Sequence, residues 1–214
     1  MKRWLKVLVD SFIEARLEAA KLVFVGIISK MFTTEFLSVN DYPKFKDWLT
    51  MQDEETRQLY FGVAGNTYVI DALMERVIAN PDDHKFLVAK IDNKWIGTIH
   101  LATYNNVVEF GVIVSEEHRG NGVAGEMLEE AILWARNRGY KELFMHCLGW
   151  NKPIQHLCHK HGLATHNMYG DSEVEMKLEP CNWITINKEI CIKQRNLYHM
   201  FLQNSKNFYE EIYG

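Results

Sequence analysis

The sequence is poor in the features that mark specialised classes of protein. It has four cysteines and four prolines in 214 residues. Cys147, Cys158, Cys181 and Cys191 form no CxxC pair, so the pattern indicates neither a zinc ribbon nor a disulfide-stapled fold. We therefore expect reduced thiols in a cytoplasmic protein. The length suits one domain of ~150 residues with extensions.

An excess of basic residues is also lacking. Lys and Arg total 24 against 28 Asp and Glu, which gives a formal net charge of -4. Proteins that bind duplex nucleic acid usually carry a strong positive excess, so nucleic acid is not expected as a partner. A mildly acidic chain is compatible with an amine-bearing substrate.

No apolar run is long enough to cross a membrane. The run Leu22–Ile28 is far short of the ~20 apolar residues that a spanning helix needs, and no small-residue cleavage site follows it. We expect neither a transmembrane segment nor a signal peptide. Residues 3–30 instead predict one amphipathic helix, because polar residues recur at steps of three or four. This helix either packs on its own domain or a sister subunit, or docks on a membrane or another protein, which its basic start favours.

The rest of the chain alternates between helical and strand patterns. Strands are predicted over 36–39, 85–91, 95–104, 107–114, 142–148, 168–170 and 173–178. Helices are predicted over 41–49, 53–61, 67–79, 122–138, 153–161 and around 188–203. Hairpins that precede a βαβ unit predict a mixed α/β sheet rather than a doubly wound parallel one.

A glycine-rich turn links the predicted strand 107–114 to the helix that follows. Gly120 and Gly122 let backbone amides approach a ligand closely, and the start of a helix favours an anion such as a pyrophosphate. The run 120–125 also fits the dinucleotide fingerprint G-x-G-x-x-G. In that fold, however, the first glycine follows the strand almost at once, whereas residues 115–119 intervene here.

The turn and a second segment together resemble the GNAT superfamily of N-acetyltransferases. Arg119, Gly122 and Ala124 occupy the fixed positions of its R/Q-x-x-G-x-G/A signature, and 151–163 is similar to its N-x-x-A-x-x-L-Y-x-x-x-G-F segment. The resemblance covers about residues 35–178. It implies a GNAT fold: a mostly antiparallel mixed sheet with splayed central parallel strands and flanking helices. The implied units are an N-terminal extension (1–34), the acetyltransferase domain (35–179) and a C-terminal helical extension (180–214).

The resemblance further implies acetyl-CoA as cosubstrate and a primary amine as acceptor. The backbone of Val112–Val114 would pair with the pantetheine arm, and Asn151 would hydrogen-bond that arm. The turn amides would hold the pyrophosphate; these belong to Arg119, Gly120, Asn121, Gly122, Val123, Ala124 and Gly125. The acyl group would enter between the strands 107–114 and 142–148, where a free backbone N–H stabilises the oxyanion.

Two residues are candidates for proton transfer. An alkylammonium of pKa ~10 must lose a proton before it attacks, and Glu109 is the one acidic residue inside its strand, at the position of a glutamate that relatives often use. The alternative is a solvent-facing glutamate. Cys158 stands where the family has a tyrosine that protonates the departing thiolate. It is a proton donor, a nucleophile or a packed core residue, and Tyr169 or a water could serve as donor instead.

The sequence alone identifies neither the acceptor nor the role of the extensions. Trp48, Tyr60, Phe61 and Tyr68 either line a substrate pocket or belong to the core. The histidines near Cys158 lack the usual zinc spacing, so no metal is expected. The replaced tyrosine leaves a second hypothesis, an impaired GNAT-fold binding or scaffold protein that uses its terminal helices for assembly. A homo-oligomer or a partner docked through residues 3–30 is also compatible with the pattern.

Overall fold

A computed structural model describes residues 32–62, 65–168 and 171–213. The helix predicted over 3–30 and the alternative donor Tyr169 lie outside the described residues. The strands are β1 (Thr33–Phe36), β2 (His84–Ile91), β3 (Lys94–Tyr104), β4 (Val107–Val114), β5 (Glu142–Leu148), β6 (Ala164–Met168) and β7 (Asp171–Lys177). The helices are α1 (Tyr42–Thr50), α2 (Glu54–Phe61), α3 (Thr67–Ala79), α4 (Val123–Asn137), α5 (Lys152–Lys160) and α6 (Trp183–Tyr213).

The seven strands form one mixed sheet in the order β1-β2-β3-β4-β5-β7-β6. Every neighbouring pair is antiparallel except β4 and β5, which are parallel because α4 carries the chain back between them. This arrangement confirms the mixed α/β sheet and places its parallel pair where the sequence predicted it. None of the described helices is both long and apolar enough to span a bilayer.

The two faces of the sheet carry separate hydrophobic clusters. One face packs against α4 and α5 through residues such as Val108, Phe110 and Met127. The opposite face packs against α1 and α3 through residues such as Phe45 and Phe86, whose rings lie 4.2 Å apart. Because side chains alternate along a strand, every other residue of β4 faces each cluster. The even-numbered residues of β4 therefore face α4, and the odd-numbered residues face the side of α1–α3.

Local signals explain where most helices begin and end. Asp53 caps α2 by accepting a hydrogen bond from the Thr56 amide, and Asn66 caps α3 through the Val69 amide. Gly62 ends α2 in the left-handed conformation with φ 74°. These capped helices match their predicted bounds within one residue.

Three predicted segments are wrong in their bounds. The first strand lies at Thr33–Phe36 rather than 36–39, because a 3-10 turn occupies Val39–Asp41. It therefore straddles the predicted domain boundary after residue 34. In the last hairpin, β6 ends at Met168, where 168–170 had been predicted as a strand. The C-terminal helix is longer than predicted.

Helix α6 is attached to the domain by hydrogen bonds. The Asn196 Nδ2 donates to the carbonyl oxygen of Thr34 at 2.6 Å and to its Oγ1 at 2.9 Å, both in buried positions. Near the start of α6, the Asn137 Nδ2 donates to a Glu189 carboxylate oxygen at 2.7 Å. Burial alone would raise the pKa of Glu189, but hydrogen bonds from Asn137, Arg138 and Lys193 lower that pKa to about 2. Hydrogen bonds and ion pairs thus attach α6 to β1 and α4.

We predict that Asn196→Ala lowers the free energy of unfolding by about 1–3 kcal/mol, because two buried hydrogen bonds to Thr34 are lost together. Urea denaturation followed by circular dichroism measures the change. Asn187→Ala is the matched control, since the Asn187 side chain is exposed and bonds only within the helix, to Trp183. Equal effects of the two substitutions would contradict the prediction.

Candidate active site

The parallel strands β4 and β5 separate after only three paired residues. Their register joins Val107 to Glu142, Val108 to Leu143 and Glu109 to Phe144, and pairing stops there. Beyond this point β4 continues along β3 up to Val114, while β5 continues along β7 up to Leu148. The sheet therefore opens into a wedge-shaped gap, with Glu109 at its vertex.

The edge of β4 that borders this gap directs two backbone N–H groups into it, while the Val114 carbonyl accepts a hydrogen bond from Arg119 Nε at 3.5 Å. The Ser115 amide donates to the Ile96 carbonyl at 3.0 Å, so the peptide groups of Ser115 point towards β3. Because backbone direction alternates along an antiparallel strand, the N–H groups of Val112 and Val114 point the other way, into the gap that β5 has left. The Ile113 side chain is buried under the α1–α3 cluster. Val112–Val114 can thus offer an extended ligand the backbone of an edge strand.

The glycine-rich turn after β4 is open to a ligand. Gly120 and Gly122 have φ values of 76° and 78°, and a Cβ built on either glycine would lie more than 4 Å from every other group. Gly122 is the N-cap of α4 and offers no side chain to the first helical amides. These amides carry the positive end of the helix dipole. The residues present therefore fit an anionic group such as a pyrophosphate.

The Arg119 side chain points away from this turn and towards α2. Its guanidinium donates a hydrogen bond to Thr56 Oγ1 and lies 3.9 Å from a Glu55 carboxylate oxygen. Thr56 in turn donates to the Asp53 carboxylate. The Arg119 backbone amide donates to the Glu116 carbonyl at 3.2 Å, and the side chain joins the turn to the first turn of α2. Binding of an anion by Arg119 therefore stays a prediction.

Glu109 lies on the face of the sheet opposite α4, among aromatic side chains. The residue is half-buried, and its parallel partner Phe144 stacks edge-to-face with Tyr104 at 5.9 Å. Burial raises the pKa of the Tyr60 and Tyr104 hydroxyls, and the Glu109 carboxylate raises both pKa values further. Both tyrosines are therefore protonated near neutral pH, and each offers a hydrogen-bond donor in the neighbourhood of this carboxylate.

Tyr60 of α2 takes the space that a side chain would fill at Gly111. A Cβ built on Gly111 would lie 2.9 Å from the Tyr60 ring and 3.2 Å from its hydroxyl oxygen. Gly111 follows Glu109 on the same face of β4. The end of α2 continues over the gap, where Gly62 approaches the Leu148 side chain of β5. Helix α2 therefore covers the gap on the side of Glu109.

The second predicted catalytic residue is buried in the core. Cys158 of α5 has 0% exposure and packs in the cluster beneath α4. Burial raises the pKa of its thiol to about 12, with a smaller contribution from Cys147. These surroundings favour the packing role among the three interpretations of Cys158.

Asn151 caps the helix that carries Cys158. Its Oδ1 accepts a hydrogen bond from the Ile154 amide at 3.4 Å, and the residue is buried. The side-chain carbonyl is therefore engaged within the protein. Contact between Asn151 and a cofactor arm stays a prediction.

The aromatic residues proposed for a pocket lie in different surroundings in the structure. Trp48 lines a polar cavity of about 630 Å³ beside residues 115–118, together with Trp95. Phe61 stacks edge-to-face with Tyr60 at 4.9 Å. Tyr68 is 79% exposed, which does not suit a residue in the wall of a pocket. Within the described ranges, no three His, Cys, Asp or Glu side chains are grouped to hold a metal ion.

The sequence analysis missed Tyr104 and Phe144 near Glu109, and it missed the contact between Gly111 and Tyr60. Phe144 faces Glu109 only because of the parallel register, and alternation within either strand says nothing about that register. A glycine inside a strand, however, often marks a close approach of another group. Gly111 could have been identified on that ground.

Comparisons with known proteins point to one family. The model of the Acetyltransferase (GNAT) family matches residues 43–163. A protein described as "Putative phosphinothricin acetyltransferase YwnH", from Bacillus subtilis (strain 168), is 36% identical over 75 residues. That alignment covers 35% of this chain and 46% of YwnH, so the similarity spans about half the length of this relative.

Two solved structures share the fold. The GNAT domain of S. lividans PAT is 19% identical, with a TM-score of 0.60, over 68% of this chain and 89% of that domain. The structure of yncA, a putative acetyltransferase from Salmonella typhimurium with its cofactor acetyl-CoA, is 16% identical, with a TM-score of 0.56. It is matched over 70% of this chain and 95% of that chain. Both confirm the fold that the resemblance implied.

We predict that Gly111→Ala destabilises the protein by about 1–3 kcal/mol, because the added methyl group displaces the Tyr60 ring from β4. Thermal denaturation of the single variants and of the double variant Gly111→Ala/Tyr60→Ala measures the coupling. Tyr60→Ala should remove most of the penalty, so the two effects should not add. Strict additivity would show that the methyl group acts independently of Tyr60.

Proposed function

The chain belongs to the GNAT family of acetyltransferases, and we propose that it transfers an acetyl group from acetyl-CoA to a primary amine. The observation that carries this proposal is the gap between β4 and β5, which has Glu109 at its vertex and the open glycine turn at its other end. A carboxylate and an anion-binding turn on either side of one cleft suit a phosphate-bearing acyl donor that meets a cationic acceptor.

The turn and the edge of β4 would bind the acyl donor. Bound acetyl-CoA supplies an acetyl group that is activated as a thioester. The amides of Gly120–Gly125 would hold its pyrophosphate, since no side chain fills the space above Gly120 and Gly122. The free N–H groups of Val112 and Val114 would pair with the pantetheine arm and direct the acetyl end towards the vertex.

Glu109 would act as the general base. A primary alkylammonium has a pKa of ~10 and attacks only after it loses a proton. The Glu109 carboxylate is half-buried at the vertex, on the face that α2 covers. It would first pair with the cationic amine and then take its proton, directly or through water. The protonated hydroxyls of Tyr60 and Tyr104 would help to orient the acceptor.

Cys158 is a poor candidate for the acid. Its thiol has a pKa of about 12, whereas an ordinary thiol has a pKa of ~8.5. Donation of its proton to a departing thiolate would therefore be uphill by several kcal/mol. We propose that Cys158 packs the core and that the leaving thiolate takes its proton from water, which can enter the open gap.

The acceptor we propose is a small-molecule amine. The description of YwnH names phosphinothricin, a small molecule, and the aromatic wall of Tyr104 and Phe144 beside Glu109 suits a compact acceptor with an apolar part. A second function has one observation in its favour: the buried cysteine at the position of the family's tyrosine fits a binding or scaffold protein that has lost turnover.

We predict that coenzyme A raises the melting temperature of the wild-type protein, and that Gly122→Glu weakens its binding at least tenfold. The new carboxylate would compete for the first amides of α4 and repel the pyrophosphate. Gly139→Glu is the matched control. Gly139 follows the other end of α4, with φ 81° and equally open space, so the backbone strain is the same. Adenosine, which lacks the diphosphate, should give a much smaller shift.

The outcomes of this experiment separate the two functions. Coenzyme A binding together with thiol release from acetyl-CoA in the presence of a panel of amines supports the enzyme. Binding without turnover for any amine supports the scaffold. No thermal shift with coenzyme A would contradict both, because both use the turn.

We predict that Glu109→Gln lowers kcat by about 10²–10⁴-fold at neutral pH and leaves the affinity for coenzyme A unchanged. The loss should shrink as the pH rises towards the pKa of the amine, because free amine then needs no base. Steady-state kinetics between about pH 6 and about pH 10 would measure this change, because the upper limit lies near the pKa of the amine. Glu142→Gln, on the same face of the neighbouring strand, is the control. Wild-type kinetics in Glu109→Gln would remove this residue from the mechanism.

A further inference from the structure

Helix α6 has polar residues on the side that faces the domain, and several of its large apolar residues are exposed. The side facing the domain carries Thr185, Glu189 and Asn196, and Thr185 and Asn196 are buried. The exposed side carries four apolar residues with large exposed fractions: Trp183 at 73%, Ile186 at 46%, Ile190 at 45% and Leu197 at 60%. A helix on a protein surface normally shows the opposite arrangement.

The four apolar residues lie along one side of α6, where Lys193 and Gln194 separate Ile190 from Leu197. Steps of three, four and seven residues return to the same side of an α-helix, so the four side chains lie within a ~60° arc around the axis. From residue 183 to residue 197 the helix rises about 21 Å. We call Trp183, Ile186, Ile190 and Leu197 the outer stripe. Exposed apolar surface arranged in this way typically marks a contact with another segment or protein.

We propose that residues 3–30 of the same chain pack on the outer stripe of α6. The first argument is proximity: Asn196 of α6 is hydrogen-bonded to Thr34, so the chain that precedes Phe32 begins beside the middle of α6. A segment tethered so close has a high effective concentration, which favours it over a second copy of the chain.

The second argument is the match in pattern and length. The sequence predicts one amphipathic helix over 3–30 with a broad apolar face, which includes Leu8, Phe12, Leu22 and Phe24. As a helix, 28 residues would extend over about 42 Å, twice the length of the outer stripe. Two helices that each carry an unpaired apolar face bury both faces when they pack together. This proposal does not rest on the proposed enzymatic function.

The proposal is tested by photocrosslinking of the full-length protein. Benzoylphenylalanine is introduced at Ile190 or at Leu197, and the crosslinked peptides are identified by mass spectrometry. We expect crosslinks to residues 3–30 of the same chain, with yields that do not change on dilution. The control position is Lys188, which is exposed on a different side of α6 and should give few of these crosslinks.

Hydrogen exchange gives an independent measurement. The double variant Ile190→Glu/Leu197→Glu should increase amide exchange in residues 3–30 at least tenfold and leave exchange in α4 unchanged, whereas Lys188→Glu should leave both unchanged. Three results would overturn the proposal: crosslinks between chains that grow with concentration, exchange in 3–30 that does not respond to the stripe variant, or protection of 3–30 that occurs only on vesicles of phosphatidylserine and phosphatidylcholine.

Discussion

The early end of pairing between β4 and β5 is the constraint on which the candidate site depends. A parallel pair that continued along its full length would use the backbone of Val112 and Val114 in the sheet and leave no space for a ligand. Beyond the three paired residues, β4 continues to pair with β3, and β5 continues to pair with β7. Antiparallel pairing on both sides thus holds the gap open and satisfies the outer backbone groups of both strands, while the N–H groups of Val112 and Val114 point into the gap.

The two ends of this gap have different electrostatic properties, and each follows from local structure. At one end, left-handed glycines and an uncapped helix start collect positive dipole ends without any side chain in the space. At the other end, Glu109 stands on a half-buried strand beside two protonated tyrosines. The cleft is therefore polarised along β4. In the function we propose, this polarity would orient the acyl donor with its diphosphate at the turn and attract a cationic amine to the vertex.

The sequence predicted the elements that have strong periodic patterns. It did not predict features that depend on contacts between residues distant in sequence. The bounds of β4, β5 and α3 follow from alternation, helical spacing and the Asn80-Pro81 stop, and all three were exact. The glycine turn and Glu109 were likewise identified from the sequence. The register that brings Phe144 opposite Glu109 depends on contacts distant in sequence, as does the packing of Tyr60 on Gly111. Helix α6 departs further, because Glu189 and Asn196 hydrogen-bond to Asn137 and Thr34 on its domain-facing side while several large apolar residues of the helix are exposed.

The contact between Arg119 and α2 connects the two halves of the cleft. The same residue belongs to the glycine turn by its backbone and to the helix that covers Glu109 by its guanidinium. A shift of the turn towards a diphosphate would pull on Thr56, and through α2 on Tyr60. In the function we propose, this contact would link the donor and acceptor subsites, so that a donor bound first would change the shape of the site that receives the amine.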